Sequence, residues 1–375
     1  MILGVLKEVG AEQRVALLPE IVSKLVLAKV EVYVEAKAGA NAFQTDEAYQ
    51  NAGAKVLDRE VLLKKADLLL QIGEPGQELI QHLNEKQVWV SQFNPLWNHD
   101  LVKSLLTQGI TSFSMDSIPR TTRAQAMDVL SSMATVAGYK AVLQAANELP
   151  NFFPMFMTAA GTIRPATVLI LGAGVAGLQS IAIARKLGAQ VEAFDVRAAV
   201  KEEVMSLGAK FVEVEGAIDD SSAGGYAVEQ SDAFKKKQQE VINDHAAKAD
   251  VIICTAQIPG RKAPLLIPTG AVERMKPGSV IIDLAASSGG NCELTKNSET
   301  IVHNGVKIIG QSEYPSQMPV DASKMFGKNV FNFLQLLIAE DGSLMLDFED
   351  DIVKGTCITH GGEILNERVK SFVES

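Results

Sequence analysis

Residues 167–197 read TVLILGAGVAGLQSIAIARKLGAQVEAFDVR. The apolar, partly β-branched run Thr167–Leu171 has the pattern of a buried strand. It leads directly into Gly172, Gly174 and Gly177, spaced G-x-G-x-x-G. A helical pattern follows, then a second strand pattern, Val191–Phe194, ending at Asp195. Each glycine has a physical task in such a turn. Gly172 allows a tight reversal, Gly174 leaves the backbone bare for a pyrophosphate, and Gly177 lets the helix lie close to the strand. The helix N-terminus offers unpaired N–H groups and the positive end of its dipole. Asp195 falls where a carboxylate bonds an adenosine ribose, and it favours NAD(H) because it would repel the 2′-phosphate of NADP(H). Arg197 stands beside it and would pair with a phosphate or a surface carboxylate. The predicted contact set is Gly172, Ala173, Gly174, Val175, Gly177, Asp195, Val196 and Arg197.

Composition sets the frame around this motif. A chain of 375 residues exceeds one ordinary core and predicts two domains. Its 47% hydrophobic and 21% charged residues are those of a globular protein. The net charge of −10 argues against nucleic acid and anionic membrane surfaces as partners. The N-terminal MILGVLKEVG has a strand pattern, not that of a signal peptide, and the apolar runs are too short for insertion into a membrane. Cys254, Cys292 and Cys357 have no metal spacing and are expected as buried small residues, as in a reducing cytoplasm. No metal site is expected.

Strand patterns recur outward from the motif, at Lys210–Val214, Asp250–Cys254, Ser279–Leu284 and Val306–Ile309, mostly separated by helical patterns. Such alternation predicts an α/β, doubly wound parallel sheet. The first half repeats the rhythm without the glycines, at Ile2–Lys7, Val30–Glu35, Ala66–Ile72, Val88–Phe93 and Thr111–Met115. One long helix, broken by Gly138 at most, is expected over Arg123–Leu149, and another over Asp321–Ile338, which carries the chain back to the first domain. The predicted organisation is an N-terminal α/β domain, 1–130 plus 321–375, and a dinucleotide-binding domain, 131–320, with a ligand cleft between them. The acidic, small-residue segment Glu215–Asp232 interrupts the rhythm. It is either a tolerated surface insertion or a lid that brings Gly225 and Tyr226 over a nucleotide.

A polar cluster precedes the long helix, in the segment PRTTRAQAMDVLSS at 119–132. If the helix begins at Gln125, then Gln125, Asp128 and Ser131 share one face, with Arg120 reaching over it from the loop. A guanidinium, a carboxamide, a carboxylate and a hydroxyl together can hold a nicotinamide carboxamide and orient its ring. The same residues also suit an ordinary helix start, with Thr121 or Thr122 as cap and Asp128 paired with Arg123 at the surface.

Over nearly its full length the chain resembles the alanine dehydrogenase/transhydrogenase superfamily, and in particular the NAD(H)-binding component, domain I, of proton-translocating nicotinamide nucleotide transhydrogenases. The resemblance is carried by GVLKEVGAEQRVALLPE, RTTRAQAMDVLSSMATVAGYKAV, MTAAGTIRPATVLILGAGVAGLQSIAIARKLGAQVEAFDVRAA, AGGYA and MKPGSVIIDLAASSGGNCELT. It implies that Arg120, Gln125, Asp128 and Ser131 position the dihydronicotinamide, with Thr121, Thr122 and Arg123 along the same loop. It also implies that Thr255, Ala256 and Gln257 lie along the nucleotide and that Tyr226 belongs to a mobile loop.

The implied reaction is direct, Re/Si-specific hydride transfer from NADH on this chain to NADP⁺ on a partner domain, in an enzyme active only with that partner. The implied assembly is a cytoplasmic homodimer, peripheral at the cytoplasmic face of the inner membrane through membrane-spanning and NADP(H)-binding components. The alternative is an alanine dehydrogenase-like oxidoreductase. That enzyme type needs an arginine, a lysine and a histidine for acid–base work on an imine. Arg14 stands at the matching arginine place. The lysine region reads Leu70–Pro75 as LQIGEP and the histidine region reads Gln92–Pro95 as QFNP, and neither group is present. His99, five residues past Asn94, is a poor substitute for the histidine. Arg14 is then expected as a structural relic or a surface ion-pair partner, and His82, His245, His303 and His360 as solvated side chains.

Overall fold

The computed structural model describes residues 1–214 and 231–373. The described strands, in chain order, are β1 (Ile2–Val5), β2 (Glu31–Glu35), β3 (Lys55–Leu57), β4 (Leu68–Leu70), β5 (Val88–Ser91) and β6 (Thr111–Ser114). A short hairpin follows, β7 (Phe156–Thr158) and β8 (Gly161–Ile163). Then come β9 (Thr167–Leu171), β10 (Gln190–Phe194), β11 (Lys210–Phe211), β12 (Val251–Cys254), β13 (Val280–Asp283), β14 (Thr300–His303) and β15 (Val306–Gly310). The tail supplies β16 (Cys357–His360) and β17 (Glu363–Ile364).

The chain divides into two compact units, Met1–Met133 with Pro315–Ser375, and Ala134–Tyr314. The sheet of the first unit runs β17-β16-β6-β5-β4-β1-β2-β3, and that of the second runs β11-β10-β9-β12-β13-β15-β14. Strands β1 to β6 pair in parallel, and so do β9 to β13 and β15. Both are doubly wound α/β sheets, as the strand rhythm predicts. The central strands are buried along their whole length, as at Val251–Cys254 and Val280–Asp283, because helices cover both faces. In each sheet the winding reverses beside its first strand, between β1 and β4 and between β9 and β12. A crevice opens at such a reversal, outside the carboxyl ends of the two strands.

The apolar rhythm does not announce the short edge elements: β3, the β7–β8 hairpin, the antiparallel β14 and the tail strands β16 and β17. Strand β16 pairs antiparallel with β6, and β17 antiparallel with β16. The tail helix runs Pro319–Leu334 and ends before the expected Ile338; it starts before the expected Asp321 because Pro319 supplies a first-turn residue that needs no N–H partner. No described helix is long and apolar enough to cross a membrane.

The long helix is the main correction. A single 3-10 turn covers Gln125–Met127, Asp128 is non-helical at φ −74°, ψ 93°, and the α-helix begins only at Val129 and ends at Glu148. Gly138 does not break it. An ideal Cβ there would stand 2.3 Å from the Ala176 carbonyl oxygen, so this glycine allows close contact with the Val175–Lys186 helix. The single Ser180 hydroxyl hydrogen is shared between the Gly138 carbonyl of the facing helix (3.2 Å) and the Ala176 carbonyl of its own (2.8 Å).

Candidate nucleotide crevice and polar turn

The glycine-rich segment of the second unit takes the conformation its spacing predicts. Strand β9 ends at Leu171, Gly172 turns with φ +96°, and Gly174 is the N-cap of the Val175–Lys186 helix. A Cβ on Gly172 would meet Thr255 Oγ1 at 2.7 Å, and one on Gly177 would meet the Gly172 carbonyl at 1.9 Å. A Cβ on Gly174 would meet nothing within 4 Å. Gly172 and Gly177 are thus required by packing inside the protein, whereas Gly174 faces open space beside the helix N-terminus. That is the arrangement a pyrophosphate needs, a bare backbone and unpaired first-turn N–H groups.

Three strands converge here. Thr255, just past β12, donates its hydroxyl to the Gly172 carbonyl at 2.9 Å. Asp195, just past β10, accepts the Ala173 N–H at 2.8 Å. Arg197 closes on the same carboxylate, Nε to Oδ1 at 2.9 Å and Nη2 to Oδ2 at 2.7 Å. The expected phosphate or surface partner of Arg197 is therefore Asp195 itself, a buried carboxylate. Val196 is half-buried and packs part of its side chain against the core. Gln257 donates to the Leu284 carbonyl at 3.1 Å. Gly225 and Tyr226 lie outside the described residues.

Sequence reasoning missed the scaffold behind Ala256. Asn291 accepts the Ala256 N–H at 3.0 Å and donates to the carbonyls of Ala256 (2.9 Å) and Pro264 (2.8 Å). Asn291 is in turn held by Asp283, whose fully buried carboxylate accepts from the N–H groups of Ala285, Asn291 and Cys292 and from the Thr295 hydroxyl. Burial pushes the Asp283 carboxyl above the ordinary range even so. The apolar strand that ends in an aspartate, VIIDL, is the only local signal for it.

In the first unit the polar cluster is built differently from one helix face. Asp128 ends the 3-10 turn and caps the following helix: its Oδ1 accepts the Ser131 N–H at 2.9 Å and its Oδ2 the Ser131 hydroxyl at 2.6 Å. Gln125 sits in the turn before, and Arg120, Thr121, Thr122 and Gln125 are exposed while Asp128 and Ser131 are half-buried. Thr121 accepts the Ala124 N–H at 3.3 Å and so caps the short turn rather than the long helix. Arg123 does not pair with Asp128. It grips Asp350 at 2.6 and 2.7 Å and also contacts Asp351, and it holds the Asp350 carboxyl below the ordinary range.

The winding reversal of the first sheet carries no glycine motif and is filled from within. Just past β1, Glu8 accepts the N–H groups of Ile72 (2.6 Å) and Gly73 (3.2 Å), just past β4. Burial raises its pKa to about 7. Arg14 is 7% exposed, so of its two expected roles the surface one is overturned, although an ion pair is present. Glu12 engages its Nε at 2.8 Å and its Nη2 at 2.5 Å, and Phe326 lies beneath the guanidinium. Burial pushes Glu12 up, but the hydrogen bonds and charge of Arg14 outweigh it and hold Glu12 below the ordinary range. Two histidines are also less solvated than expected: His245 bonds Glu192 at 2.5 Å, and His360 bonds Thr111 at 2.9 Å.

Two doubly wound sheets, one with a glycine-rich crevice at its reversal point, define a nucleotide-binding oxidoreductase fold. Comparison with known proteins makes this specific. The family model described as alanine dehydrogenase/PNT, N-terminal domain, matches residues 4–137, and that of the C-terminal domain matches residues 141–367. The chain belongs to the alanine dehydrogenase/PNT family. It is 45% identical over 364 residues to the first part of NAD(P) transhydrogenase subunit alpha of Rhodospirillum rubrum, covering 95% of each chain. It is 42% identical over 366 residues to NAD(P) transhydrogenase subunit alpha of Haemophilus influenzae, covering 97% of this chain and 71% of that protein. The crystal structure of transhydrogenase from Sinorhizobium meliloti matches with a TM-score of 0.88 at 41% identity, covering 97% of this chain and 100% of that one. An L-alanine dehydrogenase structure matches with a TM-score of 0.84 at 24% identity, covering 100% and 99%, and shares the fold.

Proposed function

We propose that this chain is the NAD(H)-binding half of a proton-translocating transhydrogenase, catalysing NADH + NADP⁺ ⇌ NAD⁺ + NADPH with a partner domain that holds NADP(H). Bound NADH supplies the hydride. The chain supplies position. Gly172, Gly174 and the helix beyond them seat the pyrophosphate, and Asp195 with Arg197 meets the adenosine ribose. Thr255, Ala256 and Gln257 lie along the nucleotide, and Arg120, Gln125, Asp128 and Ser131 orient the nicotinamide ring. The observation that carries this reading is the chemistry of the polar turn. Its guanidinium, carboxamide and paired carboxylate–hydroxyl are groups that orient, and the segment 119–132 contains no histidine, lysine or cysteine. Transfer between two nicotinamides needs near-attack geometry and no general acid or base.

The partner would be a membrane-associated transhydrogenase component, and this chain would then work at the cytoplasmic face of the membrane. The homodimer is part of the same proposal. Its support is the β7–β8 hairpin, exposed on all its strand residues, with Met157 74% exposed and Phe152, Met155, Phe156 and Ile163 also open. Large apolar side chains exposed together on one hairpin are what an interaction surface offers.

The alternative, an amino-acid dehydrogenase, is disfavoured by the segments LQIGEP and QFNP, which lack the lysine and histidine that enzyme type needs. Arg14, at the matching arginine place, is engaged on two nitrogens by Glu12. The experiment is a paired assay of the purified chain. One arm contains NADH, an NADP⁺ analogue and a transhydrogenase NADP(H)-binding domain, and the other contains NADH, pyruvate and ammonium. Transfer that depends on the partner domain establishes the proposal. Pyruvate-dependent oxidation of NADH by the chain alone overturns it.

A further inference from the structure

The polar turn does not hold itself. A single 3-10 turn has poor hydrogen-bond geometry and little stability of its own, yet Gln125–Met127 must set the direction of Gln125 and the start of the Asp128 cap. The observed support comes from the far end of the sequence. The Ala126 carbonyl, in the middle of the turn, accepts two side-chain amides from the Pro319–Leu334 helix: Asn329 Nδ2 at 2.8 Å and Asn332 Nδ2 at 2.9 Å. A carbonyl oxygen has two lone pairs, so both donors can be accommodated together.

Asn329 is unusual in a second respect. It is buried, and its Oδ1 has no hydrogen-bond partner among the described residues. Rotating the amide would turn that oxygen onto the Ala126 carbonyl, so the observed orientation is fixed by the turn. A buried amide oxygen with no donor has lost its water and gained nothing in return, which is unfavourable. The helix thus keeps a polar group at a core position where an apolar one would be more stable, and that group's hydrogen bond goes to the turn. Two further contacts join the same loop to the tail. Arg123 binds Asp350 and Asp351, and Pro119 lies so close to Gly355 that a Cβ there would stand 2.6 Å from its Cγ.

The geometry points to Asn329, with Asn332 beside it, as the positioning residue of the ring-orienting turn, acting through the Ala126 carbonyl on Gln125 and Asp128. This inference rests on the proposed function for what the turn does, but not for how it is held. Asn329 itself touches no reacting atom. Its loss lets the turn move, and a displacement of about 1 Å in a group that aligns two reactants costs up to about a hundredfold in rate. Nucleotide affinity, set largely by the glycine-rich crevice of the second unit, is little changed.

The test uses the full chain with Asn329→Asp, which keeps the shape and removes the donor, Asn332→Ala, and the pair together. Two readouts are taken, backbone amide exchange over residues 125–131, and partner-dependent hydride transfer alongside NADH affinity. The expected result for the pair is exchange at least about tenfold faster in that segment. A fall of about tenfold or more in transfer rate accompanies it, with the NADH dissociation constant within about twofold of the unmodified chain. Should the pair fail to fold, Asn332→Ala alone, at the more open site, is expected to show the same pattern in smaller degree. Unchanged exchange overturns the inference whatever the transfer rate, and so does faster exchange with undiminished transfer. An unmodified chain that transfers no hydride with the partner domain overturns the proposed function, and the exchange measurement then decides alone whether the turn is held as inferred.

Discussion

Asp128 presents both of its carboxylate oxygens to Ser131, one to the N–H at 2.9 Å and one to the hydroxyl at 2.6 Å. The residue therefore does two things that substitution can separate. Asp128→Asn keeps an oxygen for the Ser131 N–H and removes the charge. It is expected to leave thermal stability nearly intact while lowering partner-dependent hydride transfer about tenfold or more. Asp128→Ala removes the cap as well and should cost about a further 1 kcal/mol of stability. Melting curves beside single-turnover rates check both. Full transfer activity in Asp128→Asn would show that the carboxylate is a cap and nothing more.

The grip of Arg197 on Asp195 bears on nucleotide choice. With Asp195 intact, the arginine is neutralised and the pair offers a 2′-phosphate no net attraction. Asp195→Ala removes the acceptor for a ribose hydroxyl and the carboxylate that offsets the Arg197 charge, which favours a phosphate. Titration calorimetry is expected to find NADH about tenfold weaker, as loss of a charged hydrogen bond implies, and NADPH tighter than in the unmodified chain. Unaltered binding of both nucleotides contradicts the assignment of Asp195.

Two glycines of similar appearance in the sequence should fail in opposite ways. Gly138→Ala drives a methyl to 2.3 Å from the Ala176 carbonyl, so two packed helices must separate. Overpacking of this kind costs about 1–3 kcal/mol. Gly174→Ala meets nothing inside the protein and should fold normally, yet its methyl occupies the approach to the helix N-terminus. The expected outcome is a lowered melting temperature with NADH binding retained for the first, and an unchanged melting temperature with weakened NADH binding for the second.

Glu8 gives the first unit a pH dependence. Burial raises its pKa from an ordinary 4.5 to about 7. An acid with a higher pKa in the folded state holds more protons there than in the unfolded chain, so its contribution to stability falls as pH rises between the two values. Denaturant unfolding of the unmodified chain and of Glu8→Gln, compared from about pH 5 to about pH 8, should show the stability cost of the substitution shrinking as pH rises. A cost that stays level over this interval would mean that Glu8 is already ionised in the fold, held so by its two N–H donors.

The hairpin Phe156–Ile163 supplies the check on assembly. Met157 is 74% exposed, so Met157→Asp should leave the fold of the single chain within about 0.5 kcal/mol. If the hairpin covers a second copy, sedimentation of the variant gives a monomer where the unmodified chain gives a dimer.

The nucleotide crevice was legible in the sequence because its determinants are local. Gly172, Gly174 and Gly177 lie within six residues, and Asp195 ends the very next strand. The strand rhythm was equally plain, since buried parallel strands read as unbroken apolar runs. The polar turn was legible in its residue types but not in its shape. Helical spacing of Gln125, Asp128 and Ser131 predicts one face, yet an aspartate just ahead of a helix competes for its free N–H groups and ends regular structure there. The least legible features were those joined across sequence. Nothing near Ala126 points to Asn329, and Arg123 finds Asp350 on the other side of the second unit's sequence.

The placement of β16 has a bearing on how the molecule is made. Thr359 bonds Ser112, 247 positions away along the chain, and β17 joins the sheet only through β16. A chain emerging from the ribosome therefore completes all of Ala134–Tyr314 before the edge of its first sheet can be covered. Until then, strand β6 presents an open row of backbone donors and acceptors, the kind of edge that recruits foreign strands. The second unit is continuous in sequence and can close on itself early, whereas the first waits for β16 and β17 to arrive. Synthesis of these two strands, rather than of the glycine-rich crevice, then sets when this protein is safe from aggregation.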